Sequence, residues 1–288
     1  MNHKGHKEDT RGTELCVLCA LLVTFVLPLF GAASAEQARI PNFSPAAGIA
    51  WQSDTREGLA PALSGPRPPE IDAAYFKTKG HAYDMDTDFP VMDVSNPNFQ
   101  PWVADALKRQ NERIFAGEPV QPKSSSCWPH GLPAYMRFNG PTFIVQTRDE
   151  VLIMKNQSSE IRRIRLDEKH SAELKPSWYG ESIGHYENGD TLVVDTIRLN
   201  DRTHVDLFRT PHTSALHVTE RWTLLEGGQE ILLTVRVEDT GAFKQPYELT
   251  KHYRRVNAAF QEVICAENPI GPLEQGIEPM PQDGTPVF

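Results

Sequence analysis

The sequence predicts an all-β protein. An antiparallel meander closes into a curved sheet or lipocalin-like barrel, preceded by one helix and a proline-rich extended wrap. Two hairpin turns and a series of short alternating runs carry that prediction. Asn188-Gly189 separates two alternating runs, and a type I′ turn needs positive φ at both central positions, which Asn-Gly tolerates well. Gly227-Gly228 joins a second such pair. About nine runs with short connections, and no helices alternating with them, leave sheet edges that closure into a barrel would remove.

Residues 1–35 read as a targeting segment. Lys4, Lys7 and Arg11 precede an apolar run from Leu15 to Phe30, and Ala33-Ser34-Ala35 supplies the small residues for cleavage after Ala35. The run is shorter than the ~20 residues a spanning helix needs, so removal is expected rather than anchoring. The expected location is the periplasm or the exterior. Of four cysteines, Cys127 and Cys265 would remain. An oxidising compartment favours a bridge between them, with two separate buried thiols as the alternative. Closing so long a loop contributes ~3–5 kcal/mol in the chain-entropy model.

Residues 36–120 hold PNFSPAAG, APALSGPRPPE and DFPVMDVSNPNFQP. Proline fixes φ and removes a donor, so extended chain is expected there. Within it, residues 102–115 read as a helix, because Val103, Ala106, Leu107, Gln110 and Ile114 recur at three and four spacing. Gly117 and Pro119 stop it.

Residues 121–268 form the β-region. Its runs are Thr142–Gln146, Glu150–Asn156, Ile161–Leu166, Glu181–Glu187, Asp190–Ile197, Ser214–Leu225, Gln229–Asp239, Tyr247–Val256 and Phe260–Ile264. Residues 269–288 read as a flexible tail.

Alternation puts Leu216, Val218, Glu220, Trp222 and Leu224 on one face, with His217 on the other. Ile231, Leu233, Val235 and Val237 form a clean apolar face, and Tyr247, Leu249, Lys251 and Tyr253 form another with a lysine embedded. An inward carboxylate and an inward ammonium are expected to pair, Glu220 with Lys251. Such a pair is either structural, since each buried charge demands a partner, or a polar group tuned for proton transfer.

Two catalytic motifs fail on context. Gly180-Glu181-Ser182-Ile183-Gly184 spells G-x-S-x-G, but a nucleophile elbow needs a strand before the serine and a helix after it, whereas Ser182 leads into a hairpin. His204, Asp206 and His252 suggest a metal triad, but HVDLF lies in a turn-rich stretch, and His217 and Glu220 point to opposite faces. No metal or cofactor is called for. A net charge of -9 argues against nucleic acid as a partner.

Acid–base chemistry remains. His212 is expected to meet Asp195 or Asp201, helped by His217 or Glu220, since a carboxylate orients an imidazole for proton transfer. Trp178, Tyr186, Trp222, Lys251 and Tyr253 are the candidate ligand-binding residues for a small apolar or aromatic molecule. An enzyme, a periplasmic carrier and a structural envelope protein remain open readings.

The succession CWPHGLP, PSWYGESIGHYENGDTLVVDT, LND, PHTSALHVTER and VEDTGAFKQPY resembles a family of exported bacterial proteins without an assigned activity. The resemblance spans about Cys127 to Asn268. It implies export and brings no substrate with it.

Overall fold

The computed structural model describes residues 40–53, 59–84, 88–118, 120, 127–137, 140–156, 158, 160–173 and 175–264. The expected leader, its cleavage point, Cys265 and the tail lie outside the described residues. The expected Cys127–Cys265 bridge falls outside them with Cys265.

Among the described residues ten strands form one sheet. They are β1 (Ile49–Ser53), β2 (Ala60–Pro61), β3 (Thr142–Gln146), β4 (Glu150–Lys155), β5 (Ile161–Leu166), β6 (Glu181–Glu187), β7 (Thr191–Ile197), β8 (His217–Leu225), β9 (Glu230–Glu238) and β10 (Tyr247–Asn257). The spatial order is β1-β3-β4-β5-β6-β7-β8-β9-β10, and β1 pairs with β10, so nine of the ten strands close into a barrel. The all-β, barrel-type prediction holds.

Closure depends on a strand the proline-rich segment concealed. β1 pairs Ile49–Ser53 with Asn257–Tyr253 of β10. β2 pairs with Leu249 and Thr250 further along the same edge, so most of that edge is satisfied. The contact of β1 with β3 is a single register pair, Trp51 with Thr142. Gln146 reinforces this seam: its Oε1 accepts from the backbone N–H of Phe43 at 2.6 Å and of Ser44 at 3.0 Å.

One seam departs from a pure meander. β5 and β6 run parallel through Arg165–Ile183 and Leu166–Gly184. A parallel pair requires the connection after Leu166 to return along the strand direction before β6 starts, which a hairpin-by-hairpin reading does not anticipate. Gly184 sits at this seam, where a Cβ would lie 2.9 Å from Ile164 Cγ2 and 3.1 Å from the Val193 carbonyl. Close strand approach explains this glycine of the G-x-S-x-G motif.

Among the described residues two α-helices accompany the barrel, α1 (Ala73–Thr78) and α2 (Pro101–Phe115). Pro101 opens α2, where its missing N–H costs nothing. Val103, Leu107 and Asn111 are its buried stripe. Asn111 pins the adjacent chain: Oδ1 accepts from Met92 N at 2.9 Å, and Nδ2 donates to Met92 O at 2.8 Å. A short 3-10 turn, Ala134–Arg137, has all four residues buried. The core runs from Trp51 and Tyr135 through Val194, Val218, Trp222, Leu233 and Tyr253.

Asn111→Ala removes both bonds to Met92 and strands two buried backbone groups. The expected loss is about 2–3 kcal/mol in urea denaturation, with an unchanged m-value.

Candidate functional site

Inward alternation builds a polar centre within the barrel. β5 turns Arg162, Ile164 and Leu166 inward, while β8 turns Val218, Glu220 and Trp222 inward. Arg162 and Glu220 are 1% and 0% exposed, so neither charge is tolerable alone. The guanidinium meets the carboxylate with both terminal nitrogens, at 2.5 Å and 2.7 Å. Trp222 Nε1 donates to the same carboxylate at 2.9 Å. Arg162 also donates to Thr196 Oγ1 at 3.1 Å and Ser182 Oγ at 3.3 Å. Ser182, the motif serine, is thus a buried member of a structural network.

The expected Glu220–Lys251 pair is corrected by this geometry: Arg162 engages both oxygens of Glu220. Lys251 Nζ instead donates to the carbonyl of Met136 at 2.9 Å and lies over the Tyr253 ring. Burial, with Lys155 and Arg137 adding repulsion, lowers Lys251 to about 6. Burial, with Arg162 nearby, lowers Lys155 to about 7. Tyr253 stacks on Trp222 with ring centroids 5.8 Å apart. Four sequence-selected residues, Glu220, Trp222, Lys251 and Tyr253, therefore lie in one interior region.

At the start of β5, the Glu160 carboxylate is held by three contacts from two residues. His130 Nδ1 lies 2.8 Å from Oε1, the His130 backbone N–H donates to the same oxygen, and Tyr179 OH donates to Oε2. Trp178 meets Trp128 edge to face at 5.3 Å. Tyr186 stands apart, its hydroxyl accepting from Gln146 Nε2 at 2.7 Å.

The outward faces of β6, β7 and β8 carry a second polar assembly. Register places Glu181 opposite Ile197 and Asp195 opposite Thr219, with His217 at the start of β8. Asp195 Oδ2 lies 2.7 Å from His217 Nε2, and its Oδ1 lies 2.7 Å from His170 Nε2. His170 Nδ1 lies 2.9 Å from Glu181 Oε2, and Arg165 pairs with the other oxygen of Glu181. One carboxylate therefore orients two imidazoles, and one of those reaches a second carboxylate. His217 Nδ1 is 3.7 Å from Glu238 Oε2, beyond hydrogen-bond range, and about a third of the His217 side chain is exposed.

The electrostatics follow from these contacts. The hydrogen bond from His217 holds Asp195 below its ordinary value; partial burial opposes this and His170 adds to it. The same bond raises His217, against burial, with Glu238 adding and Arg236 subtracting. Burial pushes Glu181 up, but bonds from His170 and Ser171 and the charge of Arg165 outweigh it, leaving the carboxyl lowered. The His217 contribution to stability is fully present below 6.5 and is lost as pH rises through its higher folded value. The Asp195 contribution is present above 3.8 and is lost as pH falls through its lower folded value. The two are one interaction seen from its two ends.

The expected partnership of His212 with Asp195 or Asp201 is not formed. His212 is buried; Nδ1 donates to the Thr213 carbonyl and Nε2 accepts from Thr203 Oγ1, both at 2.8 Å. Asp201 is exposed. Asp195 takes its imidazoles from β8 and from the β5–β6 connection instead. His170 escaped the sequence reading because DEKHSAELK has no periodicity to place it. Arg162 had a signal: IRRIRL alternates, and its inward set contains one arginine. Comparison with known proteins finds no matching family model and no matching curated protein.

Glu220→Gln leaves a buried guanidinium without a full counter-charge and is expected to cost on the order of 3–5 kcal/mol. The paired replacement Arg162→Met with Glu220→Leu should recover most of that loss. Urea denaturation of the two variants beside the parent checks the ordering.

Proposed function

We propose that the protein is an exported acid–base enzyme acting on a small molecule, with His217 as the proton-transfer group and Asp195 as its orienting partner. The observation supporting this reading is that Asp195 fixes His217 through Nε2 while the side chain stays about a third exposed and Nδ1 lies 3.7 Å from Glu238, outside hydrogen-bond range. A carboxylate on one ring nitrogen sets the tautomer and steadies the imidazolium, leaving the other nitrogen to exchange a proton with a substrate. The Asp195 bond raises His217 above a free imidazole, so the charged ring is a better-held proton donor and the neutral ring left after donation is the stronger base. His170 steadies the far oxygen of Asp195, and Glu181 steadies His170 in turn. The barrel contributes rigidity: β7 and β8 hold Asp195 and His217 at fixed register.

A barrel of this kind is also compatible with ligand binding without chemistry. That second reading has its own observation. The Tyr253 hydroxyl is buried and has no hydrogen-bond partner among the described residues, in a region lined by Trp222, Lys155 and Lys251. A ligand retained by His217→Ala but lost in Tyr253→Phe would favour a carrier.

Carbon–hydrogen exchange in D2O tests the enzyme reading without a known substrate. A panel of small ketones, keto acids and activated aromatic carbon acids is followed by proton NMR. The protein is expected to accelerate exchange of at least one member by ~100-fold or more over buffer. His217→Ala should return that rate to the buffer value, and Asp195→Asn should lower it by about ten-fold or more. Equal exchange in the parent and His217→Ala, or none across the panel, contradicts the assignment.

A further inference from the structure

A pocket of about 380 Å³ lies between α2 and the loop that leads into β8. It is lined by Ala106, Arg109, Gln110 and Arg113 from the helix, and by His204, Arg209 and Pro211 from the loop. The helical residues are spaced three and four apart, so they form one face. Among the described residues the lining contains three arginines, a histidine and no carboxylate, in a chain of net charge -9. Gathering three arginines on one wall runs against the overall charge balance of the chain.

The loop side of the pocket is held in an unusual form. Arg209 has φ of 71°, the left-handed region that non-glycine residues rarely adopt. Asp206 maintains it: Oδ1 accepts from Phe208 N at 2.8 Å and Thr210 N at 3.0 Å. Gln110 Nε2 reaches across from α2 to the Phe208 carbonyl at 2.9 Å, tying helix to loop. Backbone strain of this kind persists only where surrounding contacts enforce it, and here those contacts fix an arginine at the pocket wall.

We propose that this pocket binds a small oxyanion, a carboxylate or phosphate carried on a compact apolar body. Each guanidinium offers five donors in a planar fork suited to two oxygens at once, so one protein partner leaves donors to spare. Arg113, which pairs with Glu118 at 2.8 Å, retains donors on its terminal nitrogens. Ala106 and Pro211 supply apolar wall for the body of the ligand. A volume near 380 Å³ suits a ligand of one ring. This site is independent of the Asp195–His217 assembly and stands or falls without it.

Titration calorimetry with phenyl phosphate, benzoate, inorganic phosphate and benzyl alcohol at constant ionic strength tests the proposal. Phenyl phosphate or benzoate is expected to bind saturably with Kd below about 1 mM, tighter than inorganic phosphate and far tighter than benzyl alcohol. Arg109→Gln, on exposed helix surface, should weaken binding roughly ten-fold, and Arg209→Gln similarly. Should Arg209→Gln disturb its turn, Arg109→Gln decides alone. Lys108→Gln, outside the pocket, should leave affinity unchanged. The proposal is overturned if Arg109→Gln binds as the parent does, if Lys108→Gln weakens binding equally, or if benzyl alcohol matches the anions.

Discussion

The buried pair of Arg162 and Glu220 is the constraint around which this barrel is arranged. Each charge would be costly alone, and together they fix β5 relative to β8 across the interior. The requirement spreads outward. Ser182 on β6 and Thr196 on β7 take the remaining donors of Arg162, and Trp222 on β8 completes the acceptor side. Four consecutive strands are thereby tied in register by one polar centre. This matters at the parallel seam between β5 and β6, where the backbone ladder is short. Apolar alternation already opposes a one-residue slip, and a fork of two directed bonds also discriminates against a two-residue slip that keeps the same face inward.

Strand alternation carries that register from the inside of the barrel to the outside. Ser182 and Thr196 face inward, so their neighbours Glu181 and Asp195 face outward. Val218 faces inward, so His217 faces outward beside Asp195. A one-residue slip of β8 would break the bond to Arg162 and remove His217 from Asp195 together. The inner pair and the outer dyad are opposite faces of the same constraint. The proposed chemistry needs an imidazole held within a fraction of an ångström, and the interior network supplies that stiffness.

Legibility in the sequence followed periodicity. The helix of α2, both hairpins and the inward sets of β8, β9 and β10 could be read, because alternation and turn chemistry are local signals. β1 could not: Ile49–Ser53 is a five-residue strand among prolines, and its pairing with β10 spans most of the chain. Glu220 was legible as an inward charge needing a partner, but Lys251 was the nearer choice in sequence and strand order. The alternation of IRRIRL does put one arginine, Arg162, on the inward face. The site was legible only in part. Asp195 and His217 emerged from composition and spacing, while His170 comes from a connection whose path only tertiary packing defines. His212 looked equivalent to His217 in sequence, yet the loop folds its ring against Thr203 and Thr213.

The claim that Asp195 and His217 form a working dyad is tested most directly by NMR titration of the His217 ring in the parent and in Asp195→Asn. The account predicts that His217 titrates above 6.5 in the parent, because the Asp195 carboxylate stabilises the imidazolium. In Asp195→Asn the value should fall, since burial is then opposed only by the weaker pull of Glu238. A His217 that titrates at the same pH in both proteins would contradict the account.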